Sequence, residues 1–254
     1  MSILDRSGVR LYYEVYGSGP AVLLTHGFGA TSRMWAGQVE ALARDHTVVL
    51  WDMRGHGQSD SPDTPAAYGE AQTIGDIVAL LDHLGFDAAV IGGQSLGGFM
   101  SMAVALAYPS RLRGLLLVDT GPGYKSDDKR DDWNAMALRY ADAIAKKGLA
   151  VFAKASREMR PGEHDNLRGL ELAARHALPQ YSAQVLEGLP RIKVPTLVIV
   201  GERDRLYLGA SDYMTEKIPN ATKVVLEDAG HAANVDQPEA FDDALRRFLD
   251  SHDL

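Results

Sequence analysis

The sequence of 254 residues contains no cysteine. Disulfide bonds, thiolate metal sites and a cysteine nucleophile are therefore excluded. The sequence also lacks an apolar run approaching the roughly 18 residues that cross a bilayer, and residues 1–10 lack the apolar core of a secretory signal. We therefore expect a cytoplasmic protein with no membrane partner. Internal repeats, low-complexity tracts and flexible Gly/Ser linkers are absent from the sequence as well.

Positive charge is scarce. Lys and Arg number 26 against 34 Asp and Glu, which gives a formal net charge of −8 at pH 7. Without a Lys/Arg block the chain lacks the electrostatic footprint that phosphate-backbone binding requires, so nucleic acid is not an expected partner. The composition, with 46% hydrophobic and 24% charged residues, is that of a globular chain. Composition leaves the oligomeric state open between monomer and homodimer.

Short apolar runs alternate with stretches of helical period along most of the chain. The runs that predict strands lie at 9–16, 21–25, 47–51, 88–91, 115–118, 196–200 and 223–226. The helical stretches lie at 31–44, 74–84, 96–107, 211–218 and 238–249. Runs that are apolar throughout are typical of strands buried on both faces. The alternation therefore predicts an α/β fold, with a mostly parallel twisted sheet of about eight strands flanked by helices.

Residues 121–190 break this alternation, because they contain no strand candidate. Apolar residues recur there at helical spacing in three intervals, 133–144, 152–159 and 167–177. Three or four short helices are predicted, which are too many for a simple crossover between two strands. We therefore expect residues 1–120 and 191–254 to form a core domain and residues 121–190 to form an inserted helical cap. The alternative is a set of helices that only pack against the core.

A candidate nucleophile lies in the pentapeptide Gly93-Gln94-Ser95-Leu96-Gly97, where a predicted strand gives way to a predicted helix. The pattern G-x-S-x-G alone is weak support, because glycine is frequent in this chain. At a sharp strand-to-helix turn, however, the Ser95 hydroxyl is lifted above the carboxyl edge of the sheet, and the N–H groups of the new helix favour an oxyanion. Such a turn leaves no room for side chains at its flanks, which suits Gly92, Gly93, Gly97 and Gly98.

A serine hydroxyl needs a neighbouring base to take its proton, and the chain has eight histidines. His231 follows the last predicted strand and precedes the last predicted helix, so it emerges at the same sheet edge as Ser95. His26 and His56 also follow strands, but they lie in Gly-rich loops, where an imidazole more often braces backbone than titrates. His231 is therefore the candidate base.

The base must be held in one tautomer by a carboxylate. Asp204 and Asp119 each follow a predicted strand, and either can reach a histidine above the sheet edge. Asp204 is favoured, because its strand is the sequence neighbour of the strand that precedes His231.

An oxyanion hole needs two N–H donors. We expect one from Leu96 at the start of the helix and the other from Phe28 in the Gly-rich loop 26–29. The second Gly-rich loop, residues 52–59, is interpreted as structural. Neither a metal nor an organic cofactor is needed for this chemistry.

The substrate pocket is expected between the cap and the sheet edge. Its predicted lining is mostly apolar, which suits a small ester with a hydrophobic acyl group. Core packing is the alternative for each of the candidates, which are Trp35, Gln94, Tyr124, Trp133, Met136 and Tyr140. Arg33 and Arg160 are candidates for binding a substrate carboxylate, and surface placement is the alternative for both.

Five segments together resemble the α/β-hydrolase family, and the likeness covers almost the whole chain. They are HGFG at 26–29, DMRGHGQS at 52–59, GQSLGG at 93–98, GERD at 201–204 and AGH at 229–231. The resemblance implies the α/β-hydrolase fold with a helical cap inserted after the sixth strand. It also implies a triad of Ser95, Asp204 and His231 and an oxyanion hole formed by the Phe28 and Leu96 amides. Family members with aspartate at the nucleophile position are dehalogenases and epoxide hydrolases, and Ser95 argues against both.

Within the family the sequence looks most similar to serine carboxylesterases and the 3-oxoadipate enol-lactonase group. The expected function is hydrolysis of a small carboxylic ester through an acyl-enzyme. Enol-lactone hydrolysis and C–C bond hydrolysis are alternatives, because the five segments belong to machinery that all these enzymes share. A different class also stays open, since some proteins of this fold are small-molecule receptors or signalling proteins with slow turnover. An intact triad favours the enzyme.

Overall fold

The apolar runs of the sequence form the strands of one sheet. The computed structural model describes residues 2–154, 157–159, 163–164 and 166–254. Its eight strands are β1 (Ser2–Arg6), β2 (Val9–Gly17), β3 (Ala21–Thr25), β4 (Thr47–Trp51), β5 (Ala89–Gln94), β6 (Leu112–Val118), β7 (Thr196–Gly201) and β8 (Ala221–Leu226). Their order in the sheet is β1-β2-β4-β3-β5-β6-β7-β8. The pairs β1–β2 and β2–β4 are antiparallel, and all other neighbours are parallel, so the predicted mostly parallel sheet is confirmed.

Helices cover both faces of the sheet. In the described residues they are α1 (Ala36–Leu42), α2 (Glu70–Leu84), α3 (Leu96–Ala107), α4 (Asp127–Lys147), α5 (Leu167–His176), α6 (Gln184–Gly188), α7 (Leu208–Lys217), α8 (Ala233–Asp236) and α9 (Pro238–His252). In β3, Leu23 belongs to an apolar cluster with α2 and α3, whereas Val22 and Leu24 belong to a second cluster with α1 and α9. Because successive side chains of a strand point to opposite faces, these clusters lie on opposite sides of the sheet.

Burial explains which strands the sequence predicts well. Every residue of β3 and β4 is buried, and the predicted runs 21–25 and 47–51 coincide with these strands. Strand β1 was not predicted, because it is a five-residue edge strand that contains no fully buried residue. In the turn to β2, Ser7 and Gly8 have φ of 55° and 81°, which is typical of a two-residue hairpin turn. The Ser-Gly pair was the sequence signal of this hairpin, and it was missed.

Between β6 and β7 the described residues form helices and loops but no strand. The predicted helical interval 133–144 lies within α4, a single helix of 21 residues that is longer than the short helix expected. The predicted helical interval 152–159 meets a 3-10 segment at Gly148–Lys154, and part of it lies outside the described residues. Since α6 packs on α3, we propose that α4 and α5 form the cap and that α6 belongs to the core domain. None of the described helices is both long and apolar enough to span a membrane.

Candidate active site

Ser95 alone forms the turn between β5 and α3. Its φ of 52° and ψ of −114° are a backbone conformation that residues other than glycine rarely adopt. The Ser95 N–H donates to the Val118 carbonyl oxygen at 2.9 Å, and the Thr120 hydroxyl donates to the Ser95 carbonyl oxygen at 2.6 Å. The strained residue is thus held by the end of β6, at the carboxyl edge of the sheet, where an exposed nucleophile is expected.

The residues beside this turn have no room for a side chain. A Cβ at Gly93 would lie 2.4 Å from the carbonyl carbon of Gly97, and a Cβ at Gly97 would lie 2.3 Å from the carbonyl oxygen of Thr25. A Cβ at Gly27 would lie 3.3 Å from the Cβ of Ser95. The loop that follows β3 therefore packs directly against the candidate nucleophile.

Asp204 and His231 are joined by a hydrogen bond. The imidazole Nδ1 lies 2.7 Å from Asp204 Oδ2, and the two residues lie in the loops that follow β7 and β8. The carboxylate side chain is 6% exposed and the imidazole 26% exposed. A carboxylate in this place holds the proton on Nδ1, so that Nε2 carries the lone pair that a base needs.

Burial and nearby negative charge act on His231 in opposite directions. Burial is the largest influence and taken alone lowers the pKa of the imidazole. The hydrogen bond and charge of Asp204, together with the charges of Asp119 and Glu158, outweigh it and raise the pKa of His231 above its ordinary 6.5. The site therefore favours the imidazolium that forms when His231 accepts a proton.

Ser95 and His231 line the same cavity, and Tyr207 contacts both. The Tyr207 ring stacks on the imidazole, with ring centroids 5.0 Å apart and planes 17° from parallel. Its phenol neighbours the Ser95 side chain, and both residues line the two cavities described below. Within the described part of the chain no hydrogen bond joins the Ser95 hydroxyl to the imidazole. Such bonds are often long in substrate-free sites and shorten in the reacting complex.

Asp119, the other candidate carboxylate, binds backbone instead of histidine. Its Oδ1 accepts from the Gly201 N–H and its Oδ2 from the Ala233 N–H, both at 2.8 Å. Burial raises the pKa of Asp119 to about 7, although the two N–H donors act to lower it. Asp119 thus ties β6 to the end of β7 and to the start of α8, next to the two loops that carry Asp204 and His231.

Phe28 and Leu96, the predicted oxyanion donors, lie on the two sides of Ser95. Phe28 belongs to the loop after β3 and lines one cavity with Ser95, and Leu96 is the first residue of α3 and lines another. The first N–H groups of a helix have no acceptor within it. Among the described turns and loops, neither amide donates to a backbone carbonyl. Both amides therefore stay the predicted oxyanion donors.

His26 holds the loop that carries Phe28. Its Nδ1 lies 2.7 Å from the Gly27 carbonyl oxygen, and its Nε2 accepts from the Met53 N–H at 2.9 Å. Burial lowers the pKa of His26 to about 4, so the ring is neutral near pH 7. This histidine braces backbone, as the sequence predicts.

Two cavities meet at Ser95. The smaller has a volume of about 100 Å³ and the larger about 420 Å³. The smaller cavity alone is lined by Leu96, Phe99, Thr120, Gly121, Pro122, Gly123, Tyr124, Gln180 and Ala210. The larger alone is lined by Phe28, Gln94, Met136, Tyr140, Glu158, Met159, Asp204 and His231. Both are lined by Ser95, Trp133, Leu178, Leu206 and Tyr207.

The structure places the predicted pocket residues in different regions. Tyr124, Trp133, Gln94, Met136 and Tyr140 line the two cavities.

Trp35 lines neither cavity, and its assignment to the substrate pocket is wrong. It is fully buried and packs against Phe241 of α9, with ring centroids 6.1 Å apart, in the cluster on the other face of the sheet. Apolarity alone did not distinguish core from pocket at this position.

Arg33 is also outside the site. It pairs with Glu163 at 3.5 Å, its side chain is 62% exposed, and it lines neither cavity, which fits the surface alternative. Arg160 lies outside the described residues. Within the described ranges, no Lys or Arg lines either cavity. The described lining therefore offers no cation to a substrate carboxylate.

Phe99, Leu206 and Tyr207 line the cavities but were not predicted. Phe99 lies four residues after Ser95 on α3, so its helical spacing placed it beside the nucleophile. Leu206 and Tyr207 follow Asp204 in the same loop at the carboxyl edge of the sheet. Their signal was a pair of large apolar residues directly after the candidate acid.

Comparisons with known proteins agree with the fold. A sequence profile described as the alpha/beta hydrolase fold matches residues 20–167. A protein of Pseudomonas savastanoi named putative carbamate hydrolase RutD is 30% identical over 95% of this chain and 99% of its own length. The 3-oxoadipate enol-lactonase 2 of Acinetobacter baylyi is 30% identical over 97% of this chain and 95% of its own. The structure of a thermophilic esterase from Thermogutta terrifontis has a TM-score of 0.84 and 28% identity, over 98% of this chain and 97% of that one.

Proposed function

Because the chain belongs to the α/β-hydrolase fold family, we propose that it is a serine hydrolase that cleaves small carboxylic esters through an acyl-enzyme. One observation carries the proposal: the hydrogen-bonded pair of Asp204 and His231 lines an apolar cavity together with Ser95, which stands in a strained turn. Nucleophile, base and orienting carboxylate are the three groups that acyl transfer requires.

In the first half of the proposed reaction, Ser95 Oγ attacks the ester carbonyl carbon while His231 Nε2 takes the hydroxyl proton. The tetrahedral oxyanion accepts hydrogen bonds from the Phe28 and Leu96 amides. The carbon–oxygen bond to the alcohol then breaks, and the imidazolium gives its proton to the leaving oxygen. Asp204 stays ionised and stabilises the imidazolium throughout.

In the second half, a water molecule gives a proton to His231 and adds to the acyl carbon. The bond to Ser95 Oγ breaks, and that oxygen recovers its proton from the imidazolium. A carboxylic acid leaves, and the resting enzyme is regenerated. One water is consumed for each ester, and no oxidant or reductant is required.

The two cavities support an orientation for the substrate. The leaving oxygen must lie where the His231 imidazolium can protonate it, and His231 lines the larger cavity. We therefore assign the alcohol to the larger cavity and the acyl group to the smaller one. The difference in volume, about 100 Å³ against about 420 Å³, favours a short acyl chain and a bulkier alcohol.

Lactones are the second candidate substrates, because a relative that is 30% identical carries the name enol-lactonase. A lactone with a carboxylate is less well supported than a neutral one. The described lining of both cavities contains no Lys or Arg to bind such a group.

A substrate screen tests the proposal. Esters of acetic, butyric and hexanoic acid, neutral and carboxylated lactones, and vinylogous diketones are assayed side by side with wild-type protein and Ser95→Ala. We expect steady-state turnover of short-chain esters, on the order of 10 s⁻¹ for a good substrate, and its loss in the variant. Activity that survives in Ser95→Ala contradicts the proposal, and a single slow burst without turnover favours a receptor.

A further inference from the structure

Tyr207 lies against both groups that exchange a proton in the proposed reaction. Its ring stacks on the His231 imidazole at 5.0 Å between centroids, and its phenol neighbours the Ser95 side chain at the cavity wall. Tyr207 also lines both cavities, so it stands where they meet. A triad of serine, histidine and aspartate needs neither contact, because its members bind each other.

The backbone holds this ring in place. Tyr207 is the residue before α7, its N–H donates to the Asp204 carbonyl oxygen at 3.0 Å, and its carbonyl accepts from the Ser211 N–H at 2.8 Å. A Cβ at Gly121 would lie 3.4 Å from ring atom Cδ1, so the backbone of Gly121 also borders the ring. The loop that positions the acid therefore positions this phenol as well.

The phenol keeps its proton near neutral pH. Burial raises the pKa of Tyr207 to about 12, although the neighbouring Ser95 hydroxyl acts in the opposite direction. A protonated phenol donates one hydrogen bond. It is therefore able to donate to the serine oxygen whenever that oxygen carries negative charge.

We propose, building on the serine mechanism above, that Tyr207 is a further catalytic residue whose phenol donates to Ser95 Oγ and whose ring fixes the plane of the His231 imidazole. The serine oxygen becomes negative twice in each cycle, once as it loses its proton and attacks, and once as it leaves the acyl carbon. Tyr207 stabilises both states by a hydrogen bond, and its own proton is not transferred.

The ring also covers one face of the imidazole. The groups that face His231 are the hydrogen-bonded Asp204, the more distant Asp119 and Glu158, and the Tyr207 ring stacked on it. The three carboxylates raise the pKa of His231, and burial, to which the ring contributes, lowers it. Removal of the ring therefore moves the pKa of His231 upward, whereas removal of the hydroxyl alone leaves it in place.

The test compares Tyr207→Phe, which keeps the ring, with Tyr207→Leu, which removes it. We expect Tyr207→Phe to lower kcat on a short-chain ester about tenfold with KM unchanged, since it loses a hydrogen bond to a charged oxygen. Tyr207→Leu should lower kcat further and shift the acid limb of the pH profile to higher pH. Tyr213→Phe is the matched control, because it removes a phenol from α7 outside both cavities and should leave kcat unchanged.

A second measurement does not depend on turnover. The titration of the His231 ring, followed by NMR without substrate, should have the same midpoint in wild type and Tyr207→Phe and a higher midpoint in Tyr207→Leu. Since Tyr207→Phe conserves nearly all the volume of the side chain, it tests the donor role even where Tyr207→Leu does not fold.

Unchanged kcat in Tyr207→Phe would overturn the donor role, and an unchanged His231 midpoint in Tyr207→Leu would overturn the role of the ring. These failures differ from failure of the proposed function itself. In that case the wild type would hydrolyse no ester, or Ser95→Ala would stay active, whatever residue occupies position 207.

Discussion

The loops at the carboxyl edge of the sheet and the helices that cover them are both held by hydrogen bonds to backbone, but the groups that make these bonds differ in burial. At the edge, buried groups bind backbone: Asp119 accepts from two N–H groups, and the Ser95 N–H donates to the end of β6. In the cover, half-buried side chains of α4 bind the backbone after α5: Trp133 Nε1 donates to the Leu178 carbonyl, and Asn134 exchanges two hydrogen bonds with the backbone of Gln180.

This difference indicates that the edge determines the reaction, whereas the cover determines which substrates fit. Backbone bonds made by buried groups fix atoms closely, which suits groups that must meet a reacting carbonyl. The cover supplies mostly apolar side chains to the cavity walls. We therefore expect that they can be exchanged without moving the edge. Changes at the edge should therefore affect all substrates alike, and changes in the cavity walls should affect some substrates more than others.

The largest effect is expected from Ser95→Ala at the edge. If the triad acts as a unit, the variant should lose about 10⁶-fold in kcat on every ester. Ser182→Ala, an exposed position outside both cavities, is the control and should keep wild-type activity. Steady-state assays with several esters measure both variants, and a loss below about tenfold for Ser95→Ala contradicts its role.

Asp204→Asn and Asp119→Asn test whether the two carboxylates at this edge have different roles, one in orienting His231 and the other in binding backbone. Asp204→Asn should lower kcat by about 10⁴-fold, because the imidazole is no longer held in the reactive tautomer. Asp119→Asn replaces one acceptor by a donor facing a buried N–H, and should cost about 1–3 kcal/mol of unfolding free energy.

Kinetic assays and urea unfolding of both variants are compared for this test. A greater loss of kcat in Asp119→Asn than in Asp204→Asn would reverse the assignment of the orienting acid.

Ala210→Leu tests whether the smaller cavity selects the acyl group. The added carbons should lower kcat/KM for hexanoyl esters about 10–100-fold relative to acetyl esters, since a difference of 1–3 kcal/mol is typical of a crowded apolar pocket. Met136→Ala, in the wall of the larger cavity, should instead change selectivity for the alcohol. If Ala210→Leu changes the selectivity among alcohols and leaves the selectivity among acyl chains unchanged, the substrate binds in the reverse of the proposed orientation.

The smallest effect concerns pH. His231 must be neutral to accept a proton, and its pKa is raised above 6.5. Activity should therefore be highest well above that value and should fall as pH is lowered through the raised pKa, as protonated imidazole accumulates. A profile of kcat/KM between pH 5 and 9 measures this, and a flat profile from pH 5 to 8 contradicts the role of His231.

Buried, periodic features were predictable from the sequence and aperiodic ones were not. Strand β3 is apolar at nearly every position because both its faces are covered, so its bounds were evident. Gly93 and Gly97 were recognisable because a tight turn excludes side chains. Trp35 and Tyr207 show the limit: each is a large aromatic residue near a loop, and only packing against Phe241 or against His231 determines that one lies in the core and the other at the site.

Covalent labelling tests the central claim most directly. A fluorophosphonate ester reacts with an activated serine and stays bound, so mass spectrometry of the digested protein locates the nucleophile. The account predicts one adduct on Ser95, none in Ser95→Ala, and strongly slowed labelling in Asp204→Asn and His231→Ala. An adduct on another residue, or labelling of Ser95 at an unchanged rate without His231, would contradict it.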